Sequence, residues 1–402
     1  MTVAASRPRQ ASLLPLVIMY SGFVLLGLPD GMLGVAWPSM RTTFDVPLEA
    51  FGALLLPGMV GFMLTSLFSG RLITGWGLGT FLVVGAAIRT AGLLGIALAP
   101  GWAFLLAANL LVGIGSGVAD AGYNTFVASH YSAGRLSWLH ACFGLGATAG
   151  PLIMTRLLAM NASWQTGYLV AMGLQGVILL LLIVFYRLWW LPGNGATPDS
   201  PNIPAASPWA TLRIPAVLLA IGVYFMYTGV EVTGGNLTYT LWTEGRGIDL
   251  AVAGTWISIY WGALTVGRIV SGIVVDRLGA VRLLRWSLLG VAIGAVLVAV
   301  REMPLVSFLG LTLVGFAEAS IFPTMIAIVP ERFGAAHAPN VIGFQIAAAG
   351  LGYALVPGLA GVLAARVGLE IVGPYLLLVG LIMWVLFEVG IRRTPVGAAN
   401  HA

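Results

Sequence analysis

One carboxylate inside a long apolar run limits what this chain can become. From Leu13 to Pro29 no side chain is charged, and the run continues to Trp37 with Asp30 inside it, in the stretch Gly27-Leu28-Pro29-Asp30-Gly31-Met32. Roughly 20 apolar residues in a helix cross the hydrocarbon core of a bilayer. An acid in such a segment is unfavourable by about 3 kcal/mol or more, and is tolerated where it faces a bundle interior or a water-filled cavity. The run therefore predicts a membrane protein with a functional acid near mid-membrane.

The pattern recurs along the chain. Twelve spans are predicted, at 13–37, 49–69, 79–99, 102–127, 137–159, 165–187, 213–240, 250–272, 281–300, 304–329, 339–365 and 370–391. A soluble domain carries about 25% charged residues, whereas here 8% are charged and 59% hydrophobic. The apolar run behind Arg7 and Arg9 is too long for a signal-peptide core, so it is read as the first span. All 19 basic residues are Arg, scattered between apolar segments, so the net charge of +5 does not mark a nucleic-acid partner. The expected partner is the lipid bilayer. The lone Cys142 offers no disulfide framework.

A Pro- and Gly-rich stretch at 188–212 divides six spans from six, giving an N-terminal half 1–187, a linker 188–212 and a C-terminal half 213–402. The halves are related. With a shift of 202 residues, Gly52 falls on Gly254, Gly70 on Gly272, Gly77 on Gly279, Gly92 on Gly294, Gly113 on Gly315 and Gly150 on Gly352. Leu111-Val112-Gly113 falls on Leu313-Val314-Gly315. Two parallel six-span repeats are a transporter architecture, with substrate bound between them near mid-membrane. Twelve loop arginines (7, 9, 71, 135, 187, 213, 277, 282, 285, 332, 392 and 393) fall on one side and five (41, 156, 246, 301 and 366) on the other. The positive-inside rule then puts both termini and the linker in the cytoplasm.

Five acids fall within spans: Asp30, Asp120, Glu231, Glu318 and Glu388. Glu388, near the end of the last span, is expected to pair with Arg392 and Arg393. The other four could bind and release protons, since apolar surroundings disfavour the charged form of a carboxyl. Asp30 and Asp120 are the proton-coupling candidates. The alternative for Asp120 is a fixed ion pair with Arg89 on the neighbouring span.

Ser271-Gly272-Ile273-Val274-Val275-Asp276-Arg277-Leu278-Gly279 contains Gly-x-x-x-Asp-Arg-x-Gly, and resembles the short cytoplasmic loop of the major facilitator superfamily. The resemblance implies a tight turn with an Asp276–Arg277 staple, and places Arg268 in the same charge network. The first-half counterpart, Gly70 to Gly77, has Gly75 where the family has Asp. Tyr227-Thr228-Gly229-Val230-Glu231-Val232 is similar to the span-seven signature of the fucose–proton symporter family. Gly117 to Asn124, His140 to Pro151 and Gly343 to Pro357 resemble that family's spans four, five and eleven. The resemblance implies the major facilitator fold and places Asp30 and Asp120 at its coupling acids. That family's fucose permease is richer in Gln and Asn around span five, where this chain has His140 and Phe143, which leaves the substrate open.

Sugars need hydrogen-bonding side chains for hydroxyls and flat rings against their C–H faces. Candidate substrate residues are Asn124, His140, Glu231, Asn236, Tyr239, Trp256, Tyr260, Trp261 and Gln345. Arg89, Arg268, Asp276, Arg277 and Glu318 form the expected charge network. Aromatic residues also serve interfaces and packing. The chain shows no metal-ligand spacing, no phosphate loop and no nucleophile elbow, so no cofactor, metal or enzymatic role is expected. The reading is an all-α integral membrane protein of twelve helices in two pseudo-symmetric six-helix halves. It would move a sugar or similar small polar solute across the inner membrane by proton symport, as a monomer. The alternatives are a proton-driven exporter of amphipathic compounds and, from another class, a non-transporting membrane sensor.

Overall fold

A computed structural model describes residues 13–131, 133–189 and 206–393. Arg7, Arg9 and linker positions 190–205 lie outside the described residues. Among the described residues, twelve helices are long and apolar enough to cross a membrane. They are α1 (Leu13–Phe44), α2 (Ala50–Trp76), α3 (Leu78–Ala97), α4 (Trp102–His130), α5 (Trp138–Ala159), α6 (Trp164–Val184), α7 (Pro215–Gly245), α8 (Leu250–Leu278), α9 (Ala280–Val298), α10 (Pro304–Ala327), α11 (Ala338–Val367) and α12 (Leu369–Arg393). Each predicted span coincides with one helix. Four run well past the expected end: α1 continues from Trp37 to Phe44, α2 to Trp76, α7 to Gly245 and α8 to Leu278. Hydropathy marks where the apolar medium ends, while the helical ladder continues beyond it.

Small residues set the helix spacing. A Cβ on Gly27 would strike the Phe143 carbonyl, and one on Gly31 the Ala147 carbonyl. From the other side, Gly146 and Gly150 meet the carbonyls of Val24 and Leu28. The backbones of α1 and α5 thus touch along a seam of paired small residues, the packing that lipid-embedded helices favour. This seam fixes the segment that carries Asp30.

The internal repeat has a structural counterpart. Gly77 joins α2 to α3 at φ 78°, and Gly279 joins α8 to α9 at φ 79°. Both conformations are strained for a residue with a Cβ. Gly92 packs on Ala108 and Val112, and Gly294 packs on Gly310 and Val314. These are the same contacts displaced by 202 residues.

The first six and last six helices meet unevenly. Gly358 lies against Gly52, and Gly361 against Leu48 and Glu49, joining α11 to α2. Gly254 packs on Thr155, and Ser258 Oγ donates to the Thr148 carbonyl at 2.6 Å, joining α8 to α5. Gly34 of α1 meets the backbone of Asn236 in α7. About two helical turns further on, Arg41 Nη1 of α1 pairs with Glu244 Oε2 of α7 at 3.0 Å. Toward the opposite end burial runs out: the last buried residue of α2 is Thr65 and that of α8 is Ser271. The halves therefore converge at the Arg41–Glu244 end and stand apart at the Gly77–Gly279 end.

Span ten is interrupted. Residues Pro304–Glu318 and Ile321–Ala327 are helical, with a turn at Ala319 and Ser320 between them. Pro323 lacks an N–H, and its ring opposes the carbonyl of Ala319 four residues earlier. The break follows directly after Glu318.

Candidate functional site

Pro29 shapes the surroundings of Asp30. It cannot donate to the carbonyl of Leu25 four residues earlier, so that oxygen is left without its helical partner. Arg89 of α3 takes it, with Nη2 donating at 2.7 Å. The same guanidinium donates from Nη1 to Gln175 Oε1 at 2.6 Å and from Nε to Ser116 Oγ at 3.1 Å. Arg89 is only 2% exposed, so these neutral acceptors, with Asp30 in electrostatic range, satisfy an otherwise costly buried cation. The alternative Arg89–Asp120 pair is not formed among the described residues. Asp120 instead accepts from Asn124 Nδ2 at 3.1 Å, one helical turn along α4.

Asp30 makes no hydrogen bond or ion pair among the described residues. Arg89 of its own half and Glu231 of the other half both lie within its electrostatic range. Tyr168 of α6 and Tyr353 of α11 share that space. The unpaired acid therefore faces the junction of the halves.

A second cluster stands across from it. Tyr227 Oη donates to Glu231 Oε2 one turn further along α7. Arg268 Nη2 of α8 approaches the same carboxylate oxygen at 3.7 Å and Tyr227 Oη at 3.4 Å. Tyr260 Oη lies 2.8 Å from the backbone carbonyl of Glu231 and 2.6 Å from Glu318 Oε1. His140 of α5 lies within electrostatic range of Arg268, so it too looks across the junction. Asn236 Oδ1, Trp261 Nε1, Glu318 Oε2 and both amide atoms of Gln345 are buried without a hydrogen-bond partner among the described residues. Buried polar atoms are ordinarily paired, so these are groups with unused capacity for a polar ligand.

The remaining candidates have the following neighbours, and two expected charge pairs are corrected. Tyr239 is buried, with Asp249 at the turn into α8 within its electrostatic range. Trp256 stacks on Phe308 with centroids 4.9 Å apart and meets Trp242 edge-on at 5.1 Å, so one face is used in packing. Tyr260 is fully buried and its hydroxyl is engaged. Asp276 and Arg277 form no ion pair among the described residues, and Arg268 belongs with Glu231 rather than with them. The resemblance located the turn at Gly279, but the staple is not closed at this open end. Glu388 forms its ion pair with Arg285 of α9, at 2.7 Å from Nε, and Arg392 lies within its electrostatic range.

The sequence reading missed Tyr227, Gln175, Ser116 and Tyr353 as members of the site. Gln175 carried a signal, as the one polar side chain in the apolar run from Gly173 to Val184. Tyr353 carried none, because an aromatic residue in a span is ordinary.

Twelve spanning helices around an unpaired central acid and a buried polar cluster define a multi-pass membrane transporter. The chain belongs to the major facilitator superfamily, whose family model matches residues 19–243 and 219–401. Its similarity to a glucose/mannose transporter of Bacillus subtilis is 22% identity, covering 85% of this chain and 86% of that relative. A putative glucose/galactose transporter of Helicobacter pylori is 25% identical over 59% of this chain and 60% of the relative. A fosmidomycin resistance protein of Escherichia coli is 22% identical over 84% of this chain and 82% of the relative. Among solved structures, the nucleoside transporter NupG superposes with a TM-score of 0.75 at 13% identity, covering 94% of this chain and 99% of that one. FucP in an outward conformation gives 0.65 at 16% identity, covering 95% and 99%. These likenesses show the fold.

Proposed function

We propose that this transporter carries a sugar-like small polar solute by alternating access, coupled to protons through Asp30 with Asp120 as a second candidate. The observation that carries the reading is the unpaired Asp30, set opposite Glu231 where the halves meet. A carboxyl without a fixed cation partner is free to change protonation as its access changes. The unused polar atoms of Asn236, Trp261 and Gln345 supply hydrogen-bonding capacity for hydroxyls. The one-ended convergence of the halves fits a carrier open to a single side. Two sugar transporters among the relatives favour the same substrate class.

We read the arginine bias as favouring a cytoplasmic location for the open Gly77–Gly279 end and both termini, and we take the protein to act in the inner membrane as a monomer. The division 1–187, 188–212 and 213–402 is our reading of the halves. The second reading, export of amphipathic compounds, is favoured by the drug-resistance relative. The test is uptake of a panel of labelled sugars into proteoliposomes, with and without a pH gradient. Gradient-stimulated accumulation of a sugar supports symport; no sugar uptake, with gradient-driven loss of an amphipathic dye, selects export.

A further inference from the structure

We infer that Glu318 is a proton-binding site of this carrier, separate from Asp30 and held by Tyr260 in the second half. The inference does not depend on Asp30 coupling or on the substrate. Tyr260 Oη lies 2.8 Å from the Glu231 backbone carbonyl and 2.6 Å from Glu318 Oε1. A phenol has one hydrogen to donate, and a backbone carbonyl can only accept. Both short contacts are attractive only if one further proton is present. A protonated Glu318 supplies it: the carboxylic acid donates to Tyr260 Oη, and Tyr260 donates to the carbonyl.

Charge balance agrees. The titratable groups facing Glu318 are Glu231 and Tyr227 on α7, and Tyr260 and Arg268 on α8. Arg268 is the one cation among them, and its ion pair is with Glu231. Glu318 is 0% exposed and its Oε2 has no hydrogen-bond partner among the described residues. An ionised carboxylate without a cation there would carry a desolvation cost of several kcal/mol. The neutral acid avoids most of it. The turn after Glu318, forced by Pro323, ends the helix beside the carboxyl and separates it from the segment below.

The site would place a bound proton two hydrogen bonds, through Tyr260, from the backbone of Glu231, the candidate substrate residue. Losing that proton leaves a carboxylate beside the Glu231 carboxylate with one Arg268 between them, so deprotonation requires the cluster to rearrange.

Infrared spectroscopy of the purified protein in lipid at neutral pH tests this, because the carbonyl stretch of a protonated carboxylic acid is resolved from carboxylate bands. Growth on isotope-labelled glutamate moves a Glu band and leaves Asp bands in place. The expected wild-type spectrum has a protonated-acid band that moves with labelled glutamate. It should vanish in Glu318→Gln, shift in Tyr260→Phe through loss of the phenol, and persist in Asp30→Asn. If Glu318→Gln does not fold, the isotope shift and Tyr260→Phe decide. The inference is overturned by a wild type without such a band, a band that survives in folded Glu318→Gln, or one that Tyr260→Phe leaves unmoved.

Discussion

The Arg41–Glu244 pair joins the first six helices to the last six at the end where they converge. If it holds that end shut, breaking it should shift the carrier toward the state open at that end. The structure limits how large the shift can be. Arg41 Nη1 contacts both carboxylate oxygens, at 3.0 and 3.2 Å, but the side chains are 24% and 40% exposed. Such pairs contribute about 0.2–1 kcal/mol, which corresponds to a population change of about 1.4- to 5-fold. Arg41→Ala and Glu244→Ala should each give that change. The double variant should add little more, as expected for partners in one interaction. About 1 M salt should mimic them, since screening then acts within about 3 Å. The assay is the distance distribution between spin labels at Trp76 and Leu278, at the open end. Each variant should raise the fraction with short separation. Unchanged distributions, or single-variant effects that sum in the double variant, would refute the latch.

Three further outcomes follow from the same geometry. Glu231→Gln and Gln345→Ala should each weaken substrate binding by about 1–3 kcal/mol, as for hydrogen bonds lost in a buried site; titration calorimetry on protein of normal yield checks this, and wild-type affinity removes the residue from the site. Gly31→Val should abolish folding, because the Cβ meets the Ala147 carbonyl and backbone cannot yield as a side chain would; a normal melting temperature would contradict the α1–α5 seam. A reporter that works only in the cytoplasm should be active when fused after Arg393, and a periplasm-dependent reporter active there would overturn the orientation.

The spans were legible because lipid exposes side chains all round a helix, so a span reads as a continuous apolar run without periodicity. Asp30 and Glu231 stood out as charges within such runs. What they touch did not, because partners come from other helices. Arg89 and Asp120 sit on consecutive spans, which made them a natural pair on paper. The structure turns Arg89 toward Leu25, whose carbonyl Pro29 leaves free. Only the three-dimensional register reveals that acceptor. Glu388 was assigned to the arginines nearest in sequence, but Arg285 reaches it across the α9–α12 contact with two donors. Tyr239 and Trp256 were chosen by residue type, and their neighbours Asp249 and Phe308 come from parts of the chain that the type does not reveal. The break in α10 was readable in principle, since Pro323 lies inside an apolar run.

The central claim is that Asp30 takes up the coupling proton, and Asp30→Asn tests it directly. The variant keeps the shape of the protonated acid but cannot release a proton. Two assays on one preparation in proteoliposomes form the measurement: accumulation driven by a pH gradient, and exchange of labelled for unlabelled substrate without one. The account predicts that accumulation is lost and exchange is retained. Undiminished gradient-driven accumulation in Asp30→Asn would contradict it.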